Sequence, residues 1–152
     1  MKIYQYIGIA ILSITVLAGV AWGHCQIPCG IYDDEARFSQ MREHITTLEK
    51  SINQINELSQ AGNLNHNQIT RWIINKEEHA DAMTEILTEY FLIQRIKHPV
   101  VVDAASDAKY LDELVLIHQM MVNLMKTKQN TDLQYTDKLT VLLDDFEKVY
   151  FE

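Results

Sequence analysis

From Phe38 to Val149 the apolar residues recur every three or four positions, the spacing of an amphipathic helix. Phe38, Met41, Ile45, Leu48, Ile52, Ile55 and Leu58 form a first series, which Gly62-Asn63 ends. Asp33 and Asp34 stand at its start, where a carboxylate caps free N–H groups. A second series runs from about Asn67 to Gln94 through Ile69, Trp72, Ile73, Met83, Ile86, Leu87, Tyr90 and Phe91, and His98-Pro99 breaks it. The Val100-Val101-Val102 run is too short and isolated to found a sheet. A third series begins near Ser106 or Asp107 and carries Leu111, Leu114, Ile117, Met121, Leu124 and Met125. Asn130-Thr131-Asp132 reads as turn and cap before a last series of Leu133, Leu139, Leu142, Leu143, Phe146 and Val149. Four such helices with short connections predict an all-α fold, an antiparallel up-down four-helix bundle over residues 33–152.

The helical part offers little chemistry. Glu77, Glu78 and His79 resemble a fragment of the Glu-x-x-His pattern of di-iron bundles, but no second copy has that spacing, and the polar surroundings read as a solvated face. His44, His66, His98 and His118 are scattered singly and read as surface or hydrogen-bonded residues, and Met120, Met121 and Met125 as core filling. There is no Cys-x-x-Cys-His for covalent haem, no Gly-rich phosphate loop and no Ser/His/Asp order for hydrolysis. The formal charge of −8 argues against a nucleic-acid partner, whose phosphates need Lys/Arg stripes. An anionic substrate would have to be drawn by local charge against the global field.

The N-terminal region is different. Lys2 supplies a positive start, and Ile7 to Val20 is uncharged and almost wholly apolar, the length of a signal h-region and short of the roughly 20 residues a membrane span needs. Ala21 and Gly23 place small residues at −3 and −1 of a cut before His24. Residues 1–23 are therefore expected to be a signal peptide removed by a processing peptidase, leaving an exported protein in the periplasm or outside the cell. Counting from Ile3 through Trp22 gives the alternative, an uncleaved anchor that keeps the protein on the membrane. Removing the leader leaves 129 of 152 residues and takes the charge to −9.

That cut would expose residues 24–32 as a metal-binding hook. His24, Cys25 and Cys29 then bring together a free amine, an imidazole, a backbone amide nitrogen and the only two thiols of the chain. Only Gln26, Ile27 and Pro28 separate the cysteines, so a disulfide would close a small loop and restrain the fold little. Thiolates are soft donors and a deprotonated amide is a planar one; with an amine they favour square-planar Cu(II) or Ni(II) over tetrahedral zinc. Pro28 and Gly30 let the chain curl so that both sulfurs reach one ion. Three readings follow: a redox enzyme, an exported Cu/Ni-binding module without turnover, or a helical bundle whose cysteines form a disulfide.

The pattern His24-Cys25, Pro28-Cys29-Gly30, Tyr32-Asp33, followed by a helical domain of this length, resembles the nickel superoxide dismutases. The Tyr90-Phe91 pair near the end of the second helix fits that likeness. The resemblance implies one nickel ion per subunit, cycling between Ni(II) and Ni(III) while superoxide is converted to dioxygen and hydrogen peroxide. It implies the His24 amine, the Cys25 amide and the Cys25 and Cys29 sulfurs as a plane, with the His24 imidazole as axial ligand. It implies Tyr32 and Tyr90 along the approach, a cis Ile27–Pro28 bond, and a hexamer of bundles. In the family a first-helix glutamate and a second-helix arginine brace the axial ring. Here simple counting puts Gln40 at the glutamate position, with Glu43 one turn on, and leaves Arg71 or His79 for the arginine.

Overall fold

Four helices and a π-helical extension account for nearly all of the computed structural model, which describes Tyr4, Pro28 and residues 30–100 and 103–152. The expected signal peptide, its anchor alternative, and His24, Cys25, Ile27 and Cys29 of the hook lie outside the described residues. Helix α1 is Asp34–Gln60, α2 is His66–Glu85 with a π-helical continuation Ile86–Arg95, α3 is Ala104–Gln129, and α4 is Gln134–Phe151. Among the described residues there is no strand, and no helix is long and apolar enough to cross a membrane.

Local chemistry sets the helix ends. Asp33 is the N-cap of α1, its carboxylate accepting from the Ala36 N–H at 3.0 Å. The Asn65 side chain caps α2 through the Gln68 N–H. Asp103 opens α3 with a reciprocal capping box to Ser106, so this helix starts just ahead of the Ser106 or Asp107 that periodicity suggests. In the last turn between helices, Asn130 Oδ1 accepts from the Asp132 N–H and Asp132 Oδ1 accepts from the Gln134 N–H, as the Asn130-Thr131-Asp132 reading expects.

Contacts between helix ends fix the topology. At one end Asp34 of α1 meets Arg95 of the π segment and Tyr150 of α4. At the other, Asn56 of α1 donates to the Thr131 carbonyl between α3 and α4. Successive helices therefore run in opposite directions, and each packs against two neighbours in a closed cycle, the expected up-down bundle. The core is Phe38, Met41, Ile45, Leu48, Met83, Leu87, Phe91, Ile117, Met120, Leu124, Leu139, Leu143 and Phe146, all 5 % exposed or less. Phe38, Phe91, Phe146 and Tyr150 form an aromatic cluster beneath the hook end, with centroids 5.0 to 5.8 Å apart.

Several residues depart from the sequence reading. Leu111, Ile73 and Met125 have the spacing of core residues yet are 51 %, 41 % and 45 % exposed. Lys76, a polar residue of α2, is buried at 3 % and donates to the carbonyls of Thr127 and Lys128 at 2.7 and 2.6 Å, closing the end of α3 with a charge of the right sign. Glu77 pairs with Lys76 and Lys128. The second helix also changes type at Ile86. There the hydrogen bonding widens to the i→i+5 pattern, with the Ile96 N–H bonded to the Phe91 carbonyl at 2.8 Å, and such π segments concentrate at functional sites.

Candidate functional site

The described part of the hook ends in a turn. The Ile31 N–H donates to the Pro28 carbonyl at 2.8 Å, and Gly30 sits at φ +90°, a conformation that glycine adopts without the clash a Cβ brings. The turn delivers Tyr32 to the mouth of the bundle. Its ring meets Tyr90 edge-on, with centroids 5.7 Å apart and planes at 83°, and Arg95 lies over the ring, Cζ 4.4 Å from the centroid. The two tyrosines singled out from sequence are thus in contact, Tyr32 38 % exposed and Tyr90 4 %.

Asp34 ties this group together. Its Oδ1 accepts from the Tyr90 hydroxyl at 2.6 Å and from Arg95 Nε at 2.9 Å. Its Oδ2 accepts from Arg95 Nη2 at 2.5 Å and from the Tyr150 hydroxyl at 2.8 Å. Burial pushes the Asp34 carboxyl up, but the hydrogen bonds from Arg95, Tyr90 and Tyr150 and the Arg95 charge outweigh it, leaving it below the ordinary carboxylate value. Burial, then the bond to Asp34 and its charge, push Tyr90 up to about 12; Tyr150 rises for the same reasons. Both phenols therefore keep their protons at neutral pH and act as donors.

Beside Tyr90 a pocket of about 250 Å³ opens between α1 and the α2–π helix, lined by Pro28 of the hook with Arg37, Gln40, Glu85, Glu89 and Tyr90. Arg37 Nη1 donates to Gln40 Oε1 at 2.9 Å, and its guanidinium carbon lies 5.1 Å from the Tyr90 centroid. Arg37 Nε is buried without a hydrogen-bond partner among the described residues. Buried donors are seldom left unpaired, and Pro28 of the hook lines the same pocket.

Of the four residues considered as braces for the axial ring, only Gln40 lines this pocket. Glu43 is exposed on the following turn. Arg71 lies in the first half of α2, which antiparallel packing carries toward the far end of the bundle, and lines a separate depression with Gln68, Trp72 and Asn75. His79 pairs with His44 across the α1–α2 seam, so His44 is not the isolated histidine its sequence position suggests. Sequence reasoning missed Arg37, Arg95 and Tyr150 and saw in Asp34 only a cap. Positions 34, 90, 95 and 150 form no local motif; the only hint is an unusual density of tyrosine and charge at helix ends.

Within the described residues no group of three or more His, Cys, Asp or Glu could hold a metal. The donors that suit one are His24, Cys25 and Cys29, attached to the turn that begins at Pro28. Amine, amide and thiolate donors fit a square-planar d⁸ or d⁹ ion, so the residues present suit nickel or copper by donor type. Comparison with known proteins bears on the choice. A family model described as nickel-containing superoxide dismutase matches residues 18–152, a stretch that includes His24, Cys25 and Cys29. No curated protein and no solved structure matches the chain.

Proposed function

Because the chain belongs to the nickel-containing superoxide dismutase family, we propose that its active form begins at His24, that residues 24–32 wrap one nickel ion, and that superoxide approaches through the pocket beside Tyr90. The observation that carries this reading is that Pro28, a residue of the hook itself, lines the same pocket as Arg37, Gln40 and Tyr90. Nickel bound there supplies a one-electron couple, Ni(II)/Ni(III), able to oxidise one superoxide to dioxygen and reduce the next to hydrogen peroxide.

The chain's own residues do the remainder. In a protein of charge −8, Arg37 is a guanidinium with no carboxylate in salt-bridge contact among the described residues, and it is the group that would draw a small anion into a pocket whose wall also carries Glu85 and Glu89. Arg95 cannot serve so well, because Asp34 neutralises it. Tyr32, partly exposed, borders the entrance and orders water or superoxide there. Tyr90 walls the pocket, its hydroxyl proton committed to Asp34. The Gln40 carboxamide, which accepts from Arg37, would take the place of the family's glutamate in holding the His24 ring. Arg37, on the first helix, would take the part of the family's second-helix arginine, since Arg71 lines a separate depression with Gln68, Trp72 and Asn75.

Two wider features belong to the same proposal. Leu111, Val115, Val122 and Met125 are 51, 50, 37 and 45 % exposed and fall on one side of α3 at spacings of four, seven and three, a stripe suited to subunit packing in a hexamer. Cleavage of the apolar leader would leave the mature enzyme outside the cytoplasm, and its retention would anchor the enzyme to the membrane.

The decisive experiment is to purify the mature protein, read its N-terminal residue by mass spectrometry, and measure nickel content and superoxide turnover. His24 at the terminus, one nickel per chain, and turnover abolished by Cys25→Ser or Cys29→Ser are expected. Stable metal without turnover would favour the binding module, and any other N-terminus removes the amine ligand and overturns the ligand set.

A further inference from the structure

His44 and His79 face one another across the α1–α2 seam, Nδ1 to Nδ1 at 2.8 Å, with ring centroids 5.0 Å apart and planes at 61°. The chemistry proposed above does not use them. They lie one turn below the hook pocket, since His44 follows the pocket residue Gln40 by four positions and His79 precedes the pocket residue Ala82 by three. The seam is polar below them as well, where Asn75 donates to Ser51 Oγ at 2.9 Å. Both rings are half-buried.

We propose that His44 and His79 form a second metal site, which takes a first-row divalent cation of the Ni(II)/Cu(II) class through the two Nδ1 atoms, with water completing the shell. Spacing is the first argument. Two cis nitrogens on a square-planar or tetragonal ion, each about 2.0–2.1 Å from it, lie about 2.8–3.0 Å apart, against about 3.3–3.4 Å on a tetrahedral ion. The two Nδ1 atoms already stand within hydrogen-bond distance, so both lie within reach of one ion of either geometry, and imidazole donors bind the Ni(II) and Cu(II) end of the first-row series most tightly. In the hydrogen-bonded pair one Nδ1 holds the proton that the other accepts, so ligation needs that proton to pass to Nε2 of its ring and each ring to turn until both lone pairs converge on the ion.

The second argument is availability. Burial, then the neighbouring His79, make His44 harder to protonate, with the Glu43 charge opposing, so at neutral pH this ring offers a lone pair. Its Nε2 is buried without a partner among the described residues, and its Nδ1 is the nitrogen that faces His79. No third His, Cys, Asp or Glu joins the pair among the described residues. The site is therefore exchangeable, unlike the thiolate hook. Because its ligands come from two helices, an ion bound there clips α1 to α2 and stabilises the fold by linkage.

The test uses the full chain with Cys25→Ser and Cys29→Ser, so that the outcome is independent of the hook. Titration with nickel chloride and with copper sulfate, followed by calorimetry and thermal melting, should show a saturable His44/His79-dependent site and a metal-dependent rise in Tm. His44→Gln and His79→Gln should each weaken that binding about tenfold or more. Equal binding in the variants, or none in the parent, overturns the proposal and leaves the pair as a proton-sharing hydrogen bond. Should the glutamine variants fail to fold, carbethoxylation of the parent read by mass spectrometry decides. Metal should protect both histidines, and unchanged modification overturns the site.

Discussion

Asp34, at the start of α1, accepts a hydrogen bond from the Tyr150 hydroxyl at 2.8 Å, a contact that spans 116 residues and joins the first helix to the last at the hook end. The same carboxylate holds Arg95 and Tyr90, so three elements converge on one acidic side chain. Asp34→Asn removes the counter-charge of Arg95 and weakens two phenol bonds. Because the pair is partly exposed, the expected loss is about 2–3 kcal/mol, read as a lower urea midpoint. The pH dependence has a definite sign. Asp34's carboxyl lies below its ordinary value when folded, so its stabilisation is full above the unfolded carboxyl's pKa, about 4, and is lost as pH falls through the lower folded value. The Asn variant should show a shallower acid decline below about pH 4.

Arg37 gives a kinetic prediction. Arg37→Gln removes the pocket's guanidinium while keeping a polar side chain beside Gln40. With the steering cation gone, kcat/KM for superoxide should fall by about tenfold at low salt, and its dependence on ionic strength should weaken. Stopped-flow decay of superoxide over a salt series reads both. An unchanged salt slope would assign the steering to other residues.

Lys76 tests the bundle's far half. Its ammonium satisfies the carbonyls of Thr127 and Lys128 from a position 3 % exposed. Lys76→Met keeps the stem and leaves the end of α3 without its cation, for an expected cost of about 2–3 kcal/mol. Nickel content per folded chain should not change. Calorimetric Tm and metal analysis on one sample separate the two effects.

His44 predicts a second pH window. Burial and His79 depress its folded pKa, so the unfolded chain binds the proton more readily, and stability falls as pH drops below about 6.5, the unfolded value. His44→Gln should flatten the stability profile between that pH and the folded pKa. Urea melts at half-unit pH steps without added metal provide the check.

The bundle was legible because burial of an apolar stripe is a periodic property, and Phe38, Met41, Ile45 and Leu48 carry the period without interruption. The helix starts were legible where a cap is local, as at Asp33. Of the candidate site, the donor set read from His24 to Cys29 lies outside the described residues, while Tyr32 and Tyr90, which are in contact, were legible. Arg37, Arg95 and Tyr150 were not, because what brings them together is the antiparallel return of the chain, and no spacing rule reports which helix ends meet. Arg71 misled for the same reason: counting along the chain could not show that its part of α2 points away from the hook. His44 looked solitary because its partner, His79, belongs to another helix.

The wide turns between Ile86 and Arg95 hold one more consequence. A π segment accommodates an additional residue within a helix; if the same residues were wound with i→i+4 bonds instead, everything beyond them would swing by about 100°. Tyr90 and Arg95 would lose their aim at Asp34, whereas Met83 and the helix below would keep their phase with the core. The segment thus sets the angle at which the hook end is mounted on its scaffold, so the two can change independently, one by altered winding and the other by altered packing.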